Sequence, residues 1–324
     1  MSDPDDAELE HRFRPVGSPA ARRFDPPVRS TRWLAPAPVA WDAFVREAGE
    51  RAGLDAAGLA RVLHHGGIWL DARPVPLDRP PREVGEGVHV ALYALAYEPE
   101  LVPLPDDAVL WDADGVVAAN KPAWLPVQGT RASQRISLEA ALRERLGCAE
   151  LRAVHRLDRQ TSGVVLFARN GERAGFLGRA LQEHRVARMY LALVSPAPRE
   201  DQWTVSGPMG PAKTPPRFRF ELRPRPARDT RPSETRFRVA KRSAERALVE
   251  CLPRTGRTHQ LRVHLAAGGT PICGDDLYGP PWREGTPSAA SRVQLHAATL
   301  RARLAQRGPE TELSAPLPAD FEAL

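Results

Sequence analysis

His155-Arg156-Leu157-Asp158-Arg159-Gln160-Thr161-Ser162-Gly163 stands directly before the apolar run Val164-Val165-Leu166-Phe167-Ala168. An aspartate with arginines two before and one after it is held as a carboxylate by positive charge. Thr161, Ser162 and Gly163 are turn formers that let the segment re-enter a sheet. Alone, such a stretch reads as an Asp capping a turn and paired with a neighbour. A second stretch, Arg254-Thr255-Gly256-Arg257-Thr258-His259-Gln260-Leu261-Arg262-Val263-His264-Leu265, has the form of a tight basic turn feeding a helix. With Thr258 as N-cap, Arg262 falls on the same face as His259, and Gly268-Gly269 stops the helix.

Working outward, residues 163–168 read as a buried strand, as do 116–119, 189–194 and 248–252. Helices are expected over 138–146, with Ser137 as N-cap, and over 172–185, with Phe176, Leu177, Ala180 and Leu181 on the apolar face. Strands outnumber helices without alternating strictly with them. The expected class is therefore α+β, with a largely antiparallel mixed central sheet flanked by helices and loops. Residues 1–30 read as a polar tail, and Pro99 to Asp114 as a linker. Between them lies a small α/β unit, 31–95. It starts with a helical stretch carrying Trp41, Phe44, Val45 and Ala48, and a second one carrying Leu54, Leu59, Val62 and Leu63. His64-His65-Gly66-Gly67 ends the second, and short strands follow at 68–70 and 88–90. The acidic linker is placed at 96–109 and the larger domain at 110–324.

The chain has 324 residues, 46 Lys+Arg against 40 Asp+Glu, and a net charge of +6. A length of this order supports a hydrophobic core without disulfides or metals. Cys148, Cys251 and Cys273 are far apart, so neither a disulfide scaffold nor a structural zinc module is expected. There is no apolar run of membrane-spanning length, and Met1-Ser2-Asp3-Pro4-Asp5-Asp6 is acidic where a signal peptide is basic and then apolar. A cytoplasmic protein without membrane contact is expected. The charge is unevenly spread. Segments 1–10, 96–115 and 309–324 contain carboxylates but no Lys or Arg and together carry −15, which leaves +21 on the rest. Residues 152–188 and 213–231 each carry a local +5. A polyanion would be drawn to these segments, and so would the counterions of an ordinary solvated arginine face.

Together the two opening stretches, followed by Gly274-Asp275-Asp276-Leu277-Tyr278-Gly279, resemble the RluA-type pseudouridine synthases. Asn120-Lys121-Pro122, Tyr190-Leu191-Ala192-Leu193-Val194, Leu295-His296-Ala297 and Ala315-Pro316-Leu317-Pro318 extend the resemblance in order over roughly 110–320. Residues 31–95 resemble the small RNA-binding domain named after ribosomal protein S4. The first resemblance implies the pseudouridine synthase fold and isomerisation of uridines in ribosomal or transfer RNA by a monomer. That reaction needs no redox, metal or energy input, so no cofactor is expected. Asp158 takes the catalytic role, as nucleophile or by abstracting a ribose proton. Arg262 is assigned as its partner, and Tyr190 packs on the uracil and relays the carbon-5 proton. Arg156 fills the space of the flipped base or holds a phosphate, and Lys121, Arg188, Arg257 and His259 are expected to contact RNA. Three departures stand out. Trp124 replaces the usual Gly, Arg188 the usual Lys, and the Arg/Pro-rich run 211–232 is longer than a plain hairpin needs. That run is left open between an RNA contact outside the active site and a disordered insertion.

Other chemistries fit less well. A hydrolase using His155, Asp158 and Ser162 lacks a G-x-S-x-G elbow, and its three members crowd one turn. A metal site using His259, His264, His296 and Cys273 fails on direction, since His259 and His264 point roughly 140° apart on a helix. A non-catalytic RNA-binding protein on the same fold is the main rival. It has no need of Asp158, Tyr190 and Arg262 together, and all three are present.

Overall fold

The computed structural model describes residues 23, 24, 26–76, 78–213 and 219–322. Most of the expected N-terminal tail and the centre of the 211–232 run lie outside these. Backbone contacts divide the described residues into two units: those from 23 to 101 together with Gln128–Ala141, and Val102–Val127 together with those from 142 to 322.

The small unit runs β1 (Val28–Leu34), β2 (Val39–Ala40), α1 (Trp41–Arg51), α2 (Ala56–His65), β3 (Ile68–Leu70), β4 (Arg73–Pro74), β5 (Glu83–Val84) and β6 (His89–Leu95). Its main sheet has the order β1-β6-β3-β4. Phe44 and Ala48 of α1 and Val62 of α2 pack on Ile68, Val90 and Leu92. Asp55 caps α2 by accepting the Gly58 N–H at 2.7 Å, and Gly66 ends it in the left-handed region at φ 70°. Leu63 is 39% exposed, because adjacent residues cannot both face the core of a helix whose buried side carries Val62. The expected tail also ends sooner, since Val28–Ser30 already pairs with β6. Gln128–Ala141 belongs here although it follows the first strands of the large unit in sequence. Gln134 Nε2 donates to the Gly66 carbonyl at 2.8 Å, and Arg135 Nε donates to that of His64 at 2.7 Å.

The large unit opens with β7 (Val109–Ala113) and β8 (Val116–Lys121). Helix α3 (Leu138–Arg145), whose first turn belongs to the small unit and whose second to the large one, starts with Ser137 Oγ accepting the Ala140 N–H at 3.1 Å, as its cap position predicts. Then come β9 (Arg152–Ala153), β10 (Ser162–Ala168), α4 (Gly171–Gln182), β11 (Ala187–Val194), β12 (Gln202–Pro211), β13 (Phe220–Leu222), β14 (Arg231–Arg242), β15 (Ala247–Pro253), α5 (Gln260–Ala267), β16 (Leu295–Arg303) and β17 (Glu310–Ser314). One sheet holds its strands in the order β13-β12-β14-β15-β11-β16-β10-β8-β7, with β17 on β16 and β9 on β10. Every pairing in it is antiparallel except β10 with β16. The expected α+β class with a largely antiparallel sheet is the one observed.

All seven residues of β10 are buried, which is why they read as an unbroken apolar run. Leu177 and Ala180 of α4 pack over Val164 and Leu166, with Phe176 and Leu181 partly buried beside them. Helix α4 stops three residues short of the expected end, because His184 takes φ 57° and turns the chain into β11. Among the described residues no helix is long and apolar enough to cross a membrane.

Two histidines are built into this interior. His155 Nε2 accepts the Leu166 N–H at 3.1 Å, and burial, helped by Arg188, pushes its pKa down to about 3. Ser233 Oγ donates to the Gly207 carbonyl and so accepts from His264 Nε2 at 2.9 Å; burial pushes the His264 pKa down to about 4. Both are neutral when folded and free to protonate near pH ~6.5 when unfolded. Their contribution is complete above that pH and is lost as pH falls toward the folded values. Lowering pH from 7.5 to 5 is therefore expected to remove about 3–4 kcal/mol of stability, measured by urea unfolding. A flat profile over that window would mean these imidazoles are not held neutral.

Candidate active site

The segment 155–163 joins β9 to β10, and nearly every residue in it is tied down. His155 is bonded into the β10 backbone, and the Thr161 N–H donates to the Asp158 carbonyl at 3.0 Å. The Arg159 carbonyl accepts from Lys121 Nζ at 3.0 Å, and Arg159 Nε donates to the Trp124 carbonyl at 2.9 Å. Gln160 Oε1 accepts the Val293 N–H at 2.9 Å. Ser162 Oγ lies 2.9 Å from His296 Nδ1, whose Nε2 donates to the Ala315 carbonyl at 3.1 Å. Gly163 sits at φ 112°, where a Cβ would stand 2.2 Å from the Ala297 carbonyl oxygen, so only glycine lets β10 and β16 meet. The Asp158 carboxylate is left to face a cavity of about 300 Å³.

Arg156, Arg188, Tyr190, His259 and Arg262 line the same cavity. Tyr190 is 8% exposed and lies on β11 between Cys251 and Ala297 of the flanking strands. Burial raises its pKa, with Arg188 opposing, so it is a neutral phenol. Helix α5 supplies Arg262. Its N-cap position is His259, not Thr258, and His259 takes the left-handed conformation at φ 58°. That turn aims the His259 ring inward: Nε2 lies 3.8 Å from Asp158 Oδ1, while Arg262 Nη1 lies 3.5 Å from Oδ2. Gln260 holds the basic turn in place. Its amide donates to the Glu234 carbonyl and Thr235 Oγ1, and its oxygen accepts from Thr255 Oγ1 and the Arg257 N–H, all at 2.7–3.0 Å.

The pairing expected between Arg262 and Asp158 is only the looser half of what Arg262 makes. Its Nε and Nη2 donate side by side to Asp275 at 2.7 and 2.8 Å. Asp275 is 2% exposed and also accepts the backbone N–H groups of Leu277 and Tyr278. Burial alone would raise the Asp275 pKa, but the facing guanidinium holds it down; burial would likewise lower Arg262, and Asp275 keeps it raised. The Gly274-Asp275-Asp276-Leu277-Tyr278-Gly279 motif thus supplies the fixed partner of Arg262, a pairing for which the sequence carries no local signal.

The expected RNA contacts separate. Arg156 and Arg257 are exposed at the cavity, with Arg257 Nε donating to the Pro232 carbonyl at 3.0 Å. Arg188 is half-buried, donates to the Thr255 carbonyl at 3.3 Å, and keeps a buried Nε with no partner. Lys121 is a correction. It is 0% exposed, and its ammonium donates to the carbonyls of Pro122, Leu125 and Arg159 at 2.7–3.0 Å. All three protons are used inside the protein, so Lys121 braces two loops and cannot reach RNA. Burial pushes its pKa well down, with Arg292 adding to the shift and Asp158 opposing it. Trp124, where a glycine is usual, sits at φ 68°, a conformation glycine adopts freely. A tryptophan there carries backbone strain.

The 211–232 run enters the site from its far side. Strand β13 pairs with β12, the Phe220 N–H donates to the Tyr278 hydroxyl at 2.9 Å, and the Phe220 ring meets the His259 ring edge-on at 5.9 Å. Arg223 is spent internally on Asp229, Glu221 and the Pro211 carbonyl. Arg225, Arg228 and Arg231 of the same run stay exposed.

Residues 115–267 match the RNA pseudouridylate synthase family. The chain is 36% identical to the dual-specificity RNA pseudouridine synthase RluA of Vibrio cholerae, over 63% of this chain and 79% of that one. It is 31% identical to the ribosomal large subunit pseudouridine synthase C of Escherichia coli, over 82% of this chain and 86% of that one. The chain belongs to the RluA family of RNA pseudouridine synthases. Among solved structures, human RNA pseudouridylate synthase domain containing 1 superposes with a TM-score of 0.56 at 29% identity, covering 68% of this chain and 87% of that one. As a member of this family the chain is an isomerase that converts uridine to pseudouridine in RNA.

Two substitutions separate the roles found here. Asp275→Ala leaves the Arg262 charge buried without its main partner and is expected to cost about 3–5 kcal/mol by denaturant unfolding. Lys121→Met is expected to lower the melting temperature while leaving the salt dependence of RNA binding unchanged. A flatter salt slope for that variant would return Lys121 to the RNA surface.

Proposed function

We propose that Asp158 is the carboxylate that acts on the ribose of the target uridine. The observation that carries this is that Asp158 is the one carboxylate among the described residues lining the cavity, with donors near both of its oxygens. In the reaction the bond from uracil N1 to ribose C1′ breaks, the base turns, and a bond from C5 to C1′ forms. The proton lost from C5 is balanced by the one gained at N1. Arg262, pinned by Asp275, holds the carboxylate in place without closing on it. A carboxylate whose charged neighbours stay beyond hydrogen-bond length is free to meet substrate. Tyr190, a neutral phenol, packs on the uracil and passes one proton on as it receives another.

The cavity has room for a base that has left its stack. Arg156 and Arg257 at its rim, with the half-buried Arg188 beside them, supply donors for the phosphates on either side of the flipped nucleotide. The substrate is ribosomal or transfer RNA, and the chain acts as a monomer in the cytoplasm. Three free cysteines fit a reducing compartment. The small unit is a second, S4-like RNA contact. In support, Arg32 Nη2 and Arg131 Nη1 both donate to the Tyr93 hydroxyl at 3.2 Å, on a cavity of about 990 Å³. Two guanidiniums sharing one phenol oxygen suit an anion.

Asp158→Asn is expected to abolish tritium release from carbon-5-labelled RNA while RNA affinity stays within a few fold. Substantial turnover by this variant would overturn the assignment. Sequencing pseudouridine positions in a strain lacking the gene would identify the target uridine.

A further inference from the structure

We infer that His259 is a positioning residue that offers a neutral N–H to Asp158 Oδ1, and that Tyr278, held by strand β13, fixes which ring nitrogen carries that proton. The inference rests on the assignment of Asp158 above.

It follows from a proton inventory. The Tyr278 hydroxyl accepts the Phe220 N–H at 2.9 Å and lies 2.7 Å from His259 Nδ1. Among the described residues the phenol has no other acceptor within reach, so its own proton points at Nδ1. Burial pushes the Tyr278 pKa up to about 12, so that proton is present at any working pH. A ring nitrogen that accepts carries no hydrogen, and the hydrogen of a neutral imidazole must then sit on Nε2. Nε2 is the atom 3.8 Å from Asp158 Oδ1.

The imidazole is also kept neutral. Burial lowers the His259 pKa, Asp158 opposes, and Arg262, Asp275 and Arg156 are the remaining charges that act on it. Two arginines flank the Tyr278 ring, Arg262 at 5.1 Å and Arg219 at 5.5 Å from its centre, and Phe220 closes the edge of the His259 ring. A charged imidazolium would form a tight ion pair with Asp158 and quench it. A neutral N–H steers the carboxylate while leaving it basic and nucleophilic. The 3.8 Å gap is wider than a hydrogen bond and closes once substrate fixes the carboxylate. The Arg/Pro-rich run thus has a part in the chemistry through one backbone N–H, that of Phe220.

The test compares amides that mimic one ring nitrogen each. Gln places its N–H near Nε2, and Asn places it near Nδ1. His259→Gln is expected to keep kcat within a few fold on carbon-5-tritiated total RNA from cells lacking the enzyme. His259→Asn and His259→Ala are expected to lose about 10- to 100-fold in kcat, the worth of a hydrogen bond to a charged group, with KM nearly unchanged. Nitrogen-15 NMR of the free, histidine-labelled protein should show His259 as the Nε2–H tautomer, and Tyr278→Phe should admit the Nδ1–H form. An Nδ1–H tautomer in the unmodified protein overturns the inference, as does equal activity of the Gln and Asn variants. Neither result touches Asp158, whose own test is Asp158→Asn; if that variant turns over, the reading of the site fails first. Should Tyr278→Phe not fold, the tautomer of the unmodified protein still decides.

Discussion

A single guanidinium, that of Arg262, is held between two carboxylates of unequal claim, and the geometry of the site depends on that inequality. Asp275 takes two of its nitrogens at hydrogen-bond distance, while Asp158 stands 3.5 Å from a third. Asp275 is buried and has two backbone N–H groups on its Oδ1, so it is the fixed partner. Asp158 lies on a turn facing open space and is the partner free to react. A buried arginine without Asp275 would fall onto the nearest remaining carboxylate, which is Asp158, and neutralise it.

The same device recurs where the segment carrying Asp158 meets the sheet. Arg292 is 1% exposed, yet it donates to both oxygens of Asp320 and to the carbonyls of Gln160, Val293 and Leu295. Lys121 ties three further carbonyls. Loops that carry a reactive group cannot pair their carbonyls in a ladder, and buried carbonyls left unpaired are costly. Lys121 from the end of β8 and Arg292 from the loop before β16 reach into such loops and supply the missing donors. Cationic residues that in sequence look like an RNA surface are here partly the internal bracing of the loop that presents Asp158.

The acidic segments gain a structural role in the same way. Asp112 pairs with Arg169, Asp320 with Arg292, Glu322 with Arg246 and Glu98 with His65. Part of the arginine excess is thereby consumed within the protein. What stays exposed at the cavity is a small set, Arg156 and Arg257 foremost.

Periodicity, caps and composition were enough to place β10, α3, α4 and the largely antiparallel class, because burial on both faces and local hydrogen bonds leave their mark on neighbouring residues. The motifs were enough to bring Asp158, Tyr190 and Arg262 to one site. Long-range pairings leave no such mark. That Arg262 belongs first to Asp275 depends on a contact between residues 13 apart that turn toward each other. That Lys121 is buried depends on carbonyls up to 38 residues away. The left-handed turn at His259, which displaced Thr258 from the cap, and the packing of Gln128–Ala141 with the small unit were likewise decided only in three dimensions. Sequence by itself determined which charged and polar residues meet at the cavity, Asp158, Tyr190 and Arg262 among them. Tertiary structure decided which of those charges face substrate and which are spent holding the others, because a side chain's partner is set by the space around it and not by its neighbours along the chain.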